Sequence, residues 1–271
     1  MSAEASPKAP NRPDLDKLDH TRISALNQIL IQAAFARRAE INDEVLRRIG
    51  STVAHGPFKG TRLPSAISWG EGEFTPKVLG CYEEELHPAL EKAIARKPAL
   101  IVNVGCAEGY YAIGLARRLP AARVIAFDSD EAARKACGDA AIDNGVADRI
   151  TINGIGTAEA LRAAVGAQAA LVVMDCEGAE LELLDEPTVA ALARSDLIVE
   201  CHDFVDRDLT RTLLRRLAGT HDIEVIQEGP RDPGKYLPLR SLNSIDRWLA
   251  VCEFRPEHMH WLVCRPKGMA A

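Results

Sequence analysis

The chain has 271 residues, 47% of them hydrophobic, and a formal net charge of −6. It is long and apolar enough to bury a substantial core, which excludes a disordered chain. The acidic balance argues against bulk binding to nucleic acid, which uses a strongly basic face, and basic runs go no further than arginine pairs such as Arg37-Arg38 and Arg215-Arg216. The first ten residues hold no apolar stretch, and no uninterrupted apolar segment reaches the roughly 18 residues of a membrane span. The seven cysteines, Cys81, Cys106, Cys137, Cys176, Cys201, Cys252 and Cys264, form no CxxC pair. The expectation is a reduced, cytoplasmic protein with no membrane partner.

Residues 1–13 carry Pro7, Pro10 and Pro13 among small polar residues and read as a flexible tail. Residues 14–98 read as a helical N-terminal extension and connector. Ile23, Leu26, Ile29, Leu30 and Ala33 recur at helical spacing, Ile41, Val45, Leu46 and Ile49 extend the pattern, and Gly50 stops it. Residues 51–80 are rich in Gly and Pro, hold Trp69 and read as irregular or short-stranded. Leu86, Leu90 and Ile94 place a helix over Glu83–Lys97.

From residue 99 short apolar runs alternate with helical patterns. The strand candidates are 99–104, 123–128, 149–154, 170–175 and 196–201, with helices near 109–119, 130–143, 157–164, 178–193 and 207–218. Such alternation implies a parallel sheet with helices on both faces. Residues 223–228 and 259–265 make two further strands. Residues 229–258 between them are too long for a hairpin and read as a lid or acceptor-binding insertion, with SIDRWLAV as a candidate helix.

In IVNVGCAEGYYAIGLA (101–116) a buried strand runs into Gly105 and a helix opens near Gly109. Ligands of open parallel sheets bind beyond the carboxyl ends of the strands, and glycine lets backbone approach them. The spacing G-x-x-x-G is not the GxGxxG of a pyrophosphate cradle, which disfavours an NAD-dependent enzyme. Asp128 ends the next strand about 20 residues on, where a carboxylate accepts two hydrogen bonds from a ribose diol. Ser129 or Asp130 beside it is placed to cap the following helix.

As a set these features resemble the first two motifs of class I S-adenosylmethionine-dependent methyltransferases. The resemblance covers residues 99–271 and implies a Rossmann-like, doubly wound, mostly parallel seven-stranded α/β sheet. It also implies that the glycine turn faces the amino-acid half of S-adenosylmethionine, with Gly154, Gly156 and Thr157 flanking adenine. More narrowly, VVMDCEGAELELL (172–184), LGCYEEEL (79–86) and IVECHDF (198–204) resemble segments of the FkbM-type family, commonly O-methyltransferases of sugars, lipids or polyketides. The cofactor set so implied is Tyr82, Asn103, Gly105, Cys106, Glu108, Gly109, Tyr110, Asp128, Ser129, Gly156, Thr157 and Asp175. The long N-terminal region and the 229–258 insertion depart from that pattern.

Asp175 and Glu177 follow the fourth strand, and Glu200, His202 and Asp203 the fifth, so neighbouring strands about 4.8 Å apart bring them together. His202, with an ordinary pKa near neutrality, is the candidate general base, with Glu200 and Glu177 as its catalytic partners. Glu180 and Asp203 read as helix caps facing solvent. Asp175, Glu200 and Asp203 offer a Mg²⁺ ligand set, but the metal-free route through Glu177 and His202 is expected. Cys106, Cys176 and Cys201 read as small buried side chains, and Tyr82, Tyr110 and Tyr111 as bordering the cofactor.

The leading expectation is methyl transfer to a hydroxyl of a small molecule or sugar, with a homodimer formed through the N-terminal helices. A protein or RNA methyltransferase would instead show a basic or aromatic groove built by Arg37, Arg38 and 229–258. A non-catalytic Rossmann-like binding protein would show a blocked pocket.

Overall fold

The computed structural model describes residues 20–64 and 74–268, with side chains from Ser24 onward. The expected tail at 1–13 and Trp69 lie outside these residues. Among them, seven strands form one sheet: β1 (Leu100–Val104), β2 (Arg123–Phe127), β3 (Ile150–Asn153), β4 (Leu171–Met174), β5 (Asp196–Cys201), β6 (His221–Gln227) and β7 (His260–Pro266). Their order is β3-β2-β1-β4-β5-β7-β6. The first five pair in parallel, and β7 runs antiparallel to both β5 and β6. This is the Rossmann-like, mostly parallel seven-stranded sheet that the sequence implies.

All five residues of β1 and all four of β4 are buried. Central parallel strands are covered on both faces and therefore read as continuous apolar runs. Side chains alternate between the faces. Ile101, Val173 and Ile198 point into one core, while Leu100, Val102, Val104, Val172 and Met174 point into the other. The first core is closed by α1 (His20–Ile49), α4 (Tyr110–Arg118) and α5 (Glu131–Asp143). The second is closed by α6 (Ala158–Val165), α8 (Glu186–Ala191) and α9 (Leu209–Leu217).

Local chemistry sets where the helices begin. Asp130 accepts from Ala132 N and Ala133 N at the start of α5, and Thr157 accepts from Ala160 N at the start of α6. The single helix expected over 178–193 is two: α7 (Glu180–Leu183) and α8. Asp185 caps α8 by accepting from Thr188 N, and Pro187, which has no N–H, lies in its first turn. The helix expected over Glu83–Lys97 is likewise a 3₁₀ turn at Glu84–Leu86 followed by α3 (His87–Ala95), with Pro88 in its first turn.

The connector holds an isolated bridge between Thr52 and Arg62 and then α2 (Phe74–Leu79). The 229–258 segment contains α10 (Ser244–Val251), which packs on α1. Arg37 of α1 donates to Asp246 of α10 at 3.0 and 2.6 Å. Leu26, Ile29, Leu30 and Ile31 on the N-terminal half of α1 are exposed. No described helix is long and apolar enough to cross a membrane.

Gly105, at φ +75°, is where β1 leaves the sheet beside β4. A Cβ built there would lie 1.6 Å from the Asp175 carbonyl oxygen, and backbone cannot swing aside as a flexible side chain can. Gly105→Ala is therefore expected to cost about 3 kcal/mol or more. Gly138→Ala, inside α5 with only Ile152 Cδ1 nearby at 3.7 Å, is expected to gain about 0.5–1 kcal/mol. Urea unfolding of both variants checks the contrast.

Candidate active site

The turn after β1 is held by the end of β2. Gly105 N and Cys106 N both donate to the Phe127 carbonyl, at 2.9 and 3.0 Å. Half-buried Asp128 accepts from Ala107 N at 2.8 Å through one oxygen and from Asp130 N at 2.9 Å through the other. The carboxylate thus fixes the glycine turn and the start of α5 relative to each other, and each oxygen keeps a further acceptor site.

Above this turn opens a cleft of about 500 Å³, within the range of small-molecule and cofactor sites. Of the expected residues, Tyr82, Gly105, Cys106, Tyr110, Asp128, Ser129, Gly156, Thr157, Asp175 and Glu177 line it. So do Lys77, Tyr111 and Ile155. Asn103, Glu108, Gly109, Glu200 and His202 do not. Asn103 is buried in β1 and donates to the Val173 carbonyl at 3.3 Å. Glu108 is buried in an ion pair with Lys77. The space beside Gly109 is taken by Ile113 and Cys137 of the core.

His202 lies directly behind the cleft wall. Its Nε2 is 3.6 Å from Asp175 Oδ1 and 3.5 Å from Glu177 Oε2, while Nδ1 is 2.5 Å from Glu180 Oε1. Glu180 is fully buried. The reading of Glu180 as a solvent-facing cap is therefore corrected: the short α7 turns its first residue inward beneath β5, where it meets the imidazole. Burial works to lower the His202 pKa, but the hydrogen bond to Glu180 and the charges of Asp175, Glu180 and Glu177 outweigh it, and the ring titrates above its ordinary value. For Glu180, burial raises the pKa, but the bond to His202 wins and holds it below the usual carboxylate value.

Asp203 takes the capping role. It accepts from Thr210 N at 3.0 Å and Thr210 Oγ1 at 2.7 Å, at the first turn of α9. The residues whose ligand atoms gather within 4.8 Å are Asp175, Glu200 and His202, not the set containing Asp203. One position beside them already holds a cation, because Arg255 donates to Glu200 Oε1.

Arg255 is the centre of a buried charged cluster. It also donates to Glu83 Oε1 at 3.1 Å and Glu253 Oε2 at 2.9 Å, and it lies over the Trp261 ring at 4.8 Å. Tyr111 donates its hydroxyl to the other oxygen of Glu83. Arg231 pairs with Glu253 at 2.6 Å and Glu85 at 2.5 Å. Carboxylates outnumber guanidiniums here. Burial pushes the Glu83 carboxyl up, and Asp175 and Glu253 add to this against Arg255. Burial pushes Glu200 well up, with the charges of Asp175 and Glu83 acting in the same direction. Both carboxyls hold protons above the ordinary carboxylate range.

No residue of 229–258, read from the sequence as a lid or acceptor-binding insertion, lines the cleft. It reaches the site from behind, through Arg255. Arg37 is bonded to Asp246 and Glu40, and Arg38 is fully buried, donating to Asn42 and the Cys252 carbonyl. Neither contributes to a basic groove at the cleft. All seven cysteines are free, with Cys106 and Cys201 buried and Cys176 half-buried.

The sequence reading missed Glu83, Lys77, Arg255 and the inward role of Glu180. Glu83 and Glu180 lie inside segments it singled out, whereas nothing local marks Arg255 as buried, because its partners Glu200 and Glu83 are 55 and 172 residues away.

No protein-family model matches the chain, and no curated protein matches it. Among solved structures it is similar to the O-methyltransferase TomG from Streptomyces achromogenes, at 15% identity over 66% of this chain and 77% of that chain, with a TM-score of 0.45. It is similar to spermidine synthase from Thermotoga maritima at 15% identity over 65% and 56%, with a TM-score of 0.46. It is also similar to a geranyl diphosphate C-methyltransferase from Streptomyces coelicolor A3(2), at 13% identity over 72% and 82%, with a TM-score of 0.42.

Removing the guanidinium strands three buried carboxyls. Arg255→Met is expected to cost about 3–5 kcal/mol. A carboxyl whose folded pKa exceeds its unfolded value binds more protons when folded, so its contribution to stability falls as pH rises through that interval. The variant's deficit should therefore be smaller near pH ~5 than near pH ~8, as read by denaturant midpoints across pH.

Proposed function

We propose that this chain is an S-adenosylmethionine-dependent methyltransferase of FkbM-like type, transferring a methyl group to a hydroxyl of a small molecule or sugar. The observation that carries the reading is the juxtaposition of an open cleft over an Asp128-clamped glycine turn with an oriented His202–Glu180 pair behind its wall. The open cleft also speaks against a non-catalytic scaffold.

The residues fit the cofactor. Gly105 brings bare backbone to the cleft, Asp128 presents spare acceptor positions for a ribose diol, and Gly156 and Thr157 line the cleft beside them. The bound cofactor supplies an activated methyl on a sulfonium, so the protein has to align the acceptor, remove its proton and exclude water. Asp175 and Glu177, both at the cleft, accept hydrogen bonds from acceptor hydroxyls. His202 Nε2 takes the proton. Glu180, accepting from Nδ1–H, sets the tautomer and stabilises the imidazolium that results. Arg255 at Glu200 supplies the positive charge that a divalent ion would bring elsewhere, which favours metal-independent chemistry.

Calorimetry tests the cofactor first. S-adenosylmethionine and S-adenosylhomocysteine should bind with micromolar affinity, about −8 kcal/mol, and Asp128→Ala should weaken both by about 1.5–3 kcal/mol. No heat with either ligand, together with clear binding of NAD, would overturn the assignment.

With an acceptor found by screening with labelled cofactor, His202→Ala should lower turnover about 10²–10⁴-fold, and activity should survive chelation. The base must be neutral to act, so the rate should rise with pH through a pKa above the ordinary histidine value. Glu180→Gln removes the negative charge that raises it. The acid limb of the pH–rate profile should then move to lower pH, and the plateau rate should fall.

A further inference from the structure

The N-terminal part of α1 stands clear of the rest of the molecule. Every residue from 24 to 33 is exposed, about 15 Å of helix, whereas Arg38, Ile41 and Val45 further along are buried. In the exposed part Leu26, Ile29, Leu30 and Ala33 follow the i, i+3, i+4, i+7 rhythm of one helix face. At 3.6 residues per turn that face is rotated about a quarter turn from the one carrying Ile41 and Val45. It is a second apolar stripe, not a continuation of the one that packs into the core. Leu26, Ile29 and Leu30 are 49%, 61% and 67% exposed. A helical segment of this length is marginal in water, and most helical stability comes from packing an apolar face.

We propose that this stripe is a dimerisation surface, covered by the same stripe of a second copy of the chain lying antiparallel to it. Charge selects the occupant. Between Arg22 and Arg37 the sequence has no charged residue. An isologous contact sets one surface against itself, so a charge near its axis meets its like. A charge-free stripe escapes that cost, and Asn27 and Gln32, which flank it, carry amides that both donate and accept. A helix lying on a membrane surface carries Lys and Arg along its polar face, which this stretch lacks. Residues 1–19 hold only Met1, Leu15 and Leu18 as large apolar side chains, too few to match the stripe. An antiparallel pair centred on Ile29 and Leu30 keeps the two domains at opposite ends and sets the helix dipoles head to tail. It brings each tip toward α10 of the other copy. α10 is bonded to Arg37 where the protruding part ends, and Ile245 and Trp248 on it are exposed. The next turns of α1 hold the segment leading to Arg255: Phe35 stacks on Phe254 at 4.6 Å, and Arg38 donates to the Cys252 carbonyl at 3.1 Å. Pairing therefore steadies the helix on which that segment rests.

Light scattering behind size exclusion, on the full chain over a dilution series, reads the mass directly. The unsubstituted protein should run as two chains and the double variant Leu26→Glu, Leu30→Glu as one, with its urea midpoint for the sheet retained because neither residue is in the core. A second variant needs no disruption. Ile29→Cys lies near the two-fold axis and should form an interchain disulfide under mild oxidation by copper phenanthroline, whereas Ile142→Cys, equally exposed on α5, should not. A single-chain mass for the unsubstituted protein overturns the proposal, as does a dimer that survives both glutamates or that crosslinks no better through residue 29 than through residue 142. The same samples are floated with phosphatidylglycerol–phosphatidylethanolamine vesicles. A single-chain protein that floats with them, and loses this with the two glutamates, would assign the stripe to a lipid surface and overturn the dimer.

Discussion

A guanidinium buried among three carboxyls holds this molecule's parts in register. Arg255 comes from the insertion between β6 and β7, Glu83 from the connector before β1, and Glu200 from the end of β5, and all three meet behind the cleft. A charge taken out of water is tolerated only when its hydrogen-bonding groups are satisfied in good geometry, so each segment must be in place for the others to be stable. Trp261 on β7 closes one face of the cluster and Tyr111 on α4 caps another. The sheet, the N-terminal extension and the insertion thus share one electrostatic centre, and Asp175 and His202 stand on its cleft side.

Beside that centre, a separate set of carboxylates sets the state of the imidazole. His202 receives negative potential from three carboxylates and has its orientation set by one of them, while the guanidinium nearby is committed to Glu83, Glu200 and Glu253. A buried histidine without such neighbours would lose its proton more readily. Burial and the neighbouring charges push the Glu83 and Glu200 carboxyls up, and on the cleft side Glu180, Asp175 and Glu177 push the His202 imidazole up against its own burial.

Much of the fold was legible in the sequence, because doubly covered strands write themselves as apolar runs and helices as a 3.6-residue rhythm. All seven strands lie near where the runs placed them, and Asp128, just past β2, meets the glycine turn. What failed was interruption and distance. A helical rhythm through 178–193 hides the break that Asp185 and Pro187 impose, and with it the inward turn of Glu180. The charged cluster was invisible because its members are separated by up to 172 residues, and no local pattern distinguishes a buried arginine from a solvated one. The insertion was read as a lid or acceptor-binding element because ordered loops of that length are often functional; its α10 packs on α1, and its Arg255 reaches the site from behind.

The strand order carries a consequence for how the chain acquires this shape. β7, the seventh strand in sequence, is inserted between β5 and β6. Until residues 260–266 have emerged from the ribosome, β5 presents Leu197, Ile198 and Val199 along an unpaired edge, the kind of surface that recruits other nascent chains. β6 meanwhile has no partner at all. The parallel half, β1 to β5, can assemble during synthesis from short-range β-α-β units. The antiparallel half, and with it the Arg255 cluster, cannot form until β7 is available, whereas the glycine turn after β1 needs only β2 and β4 beside it.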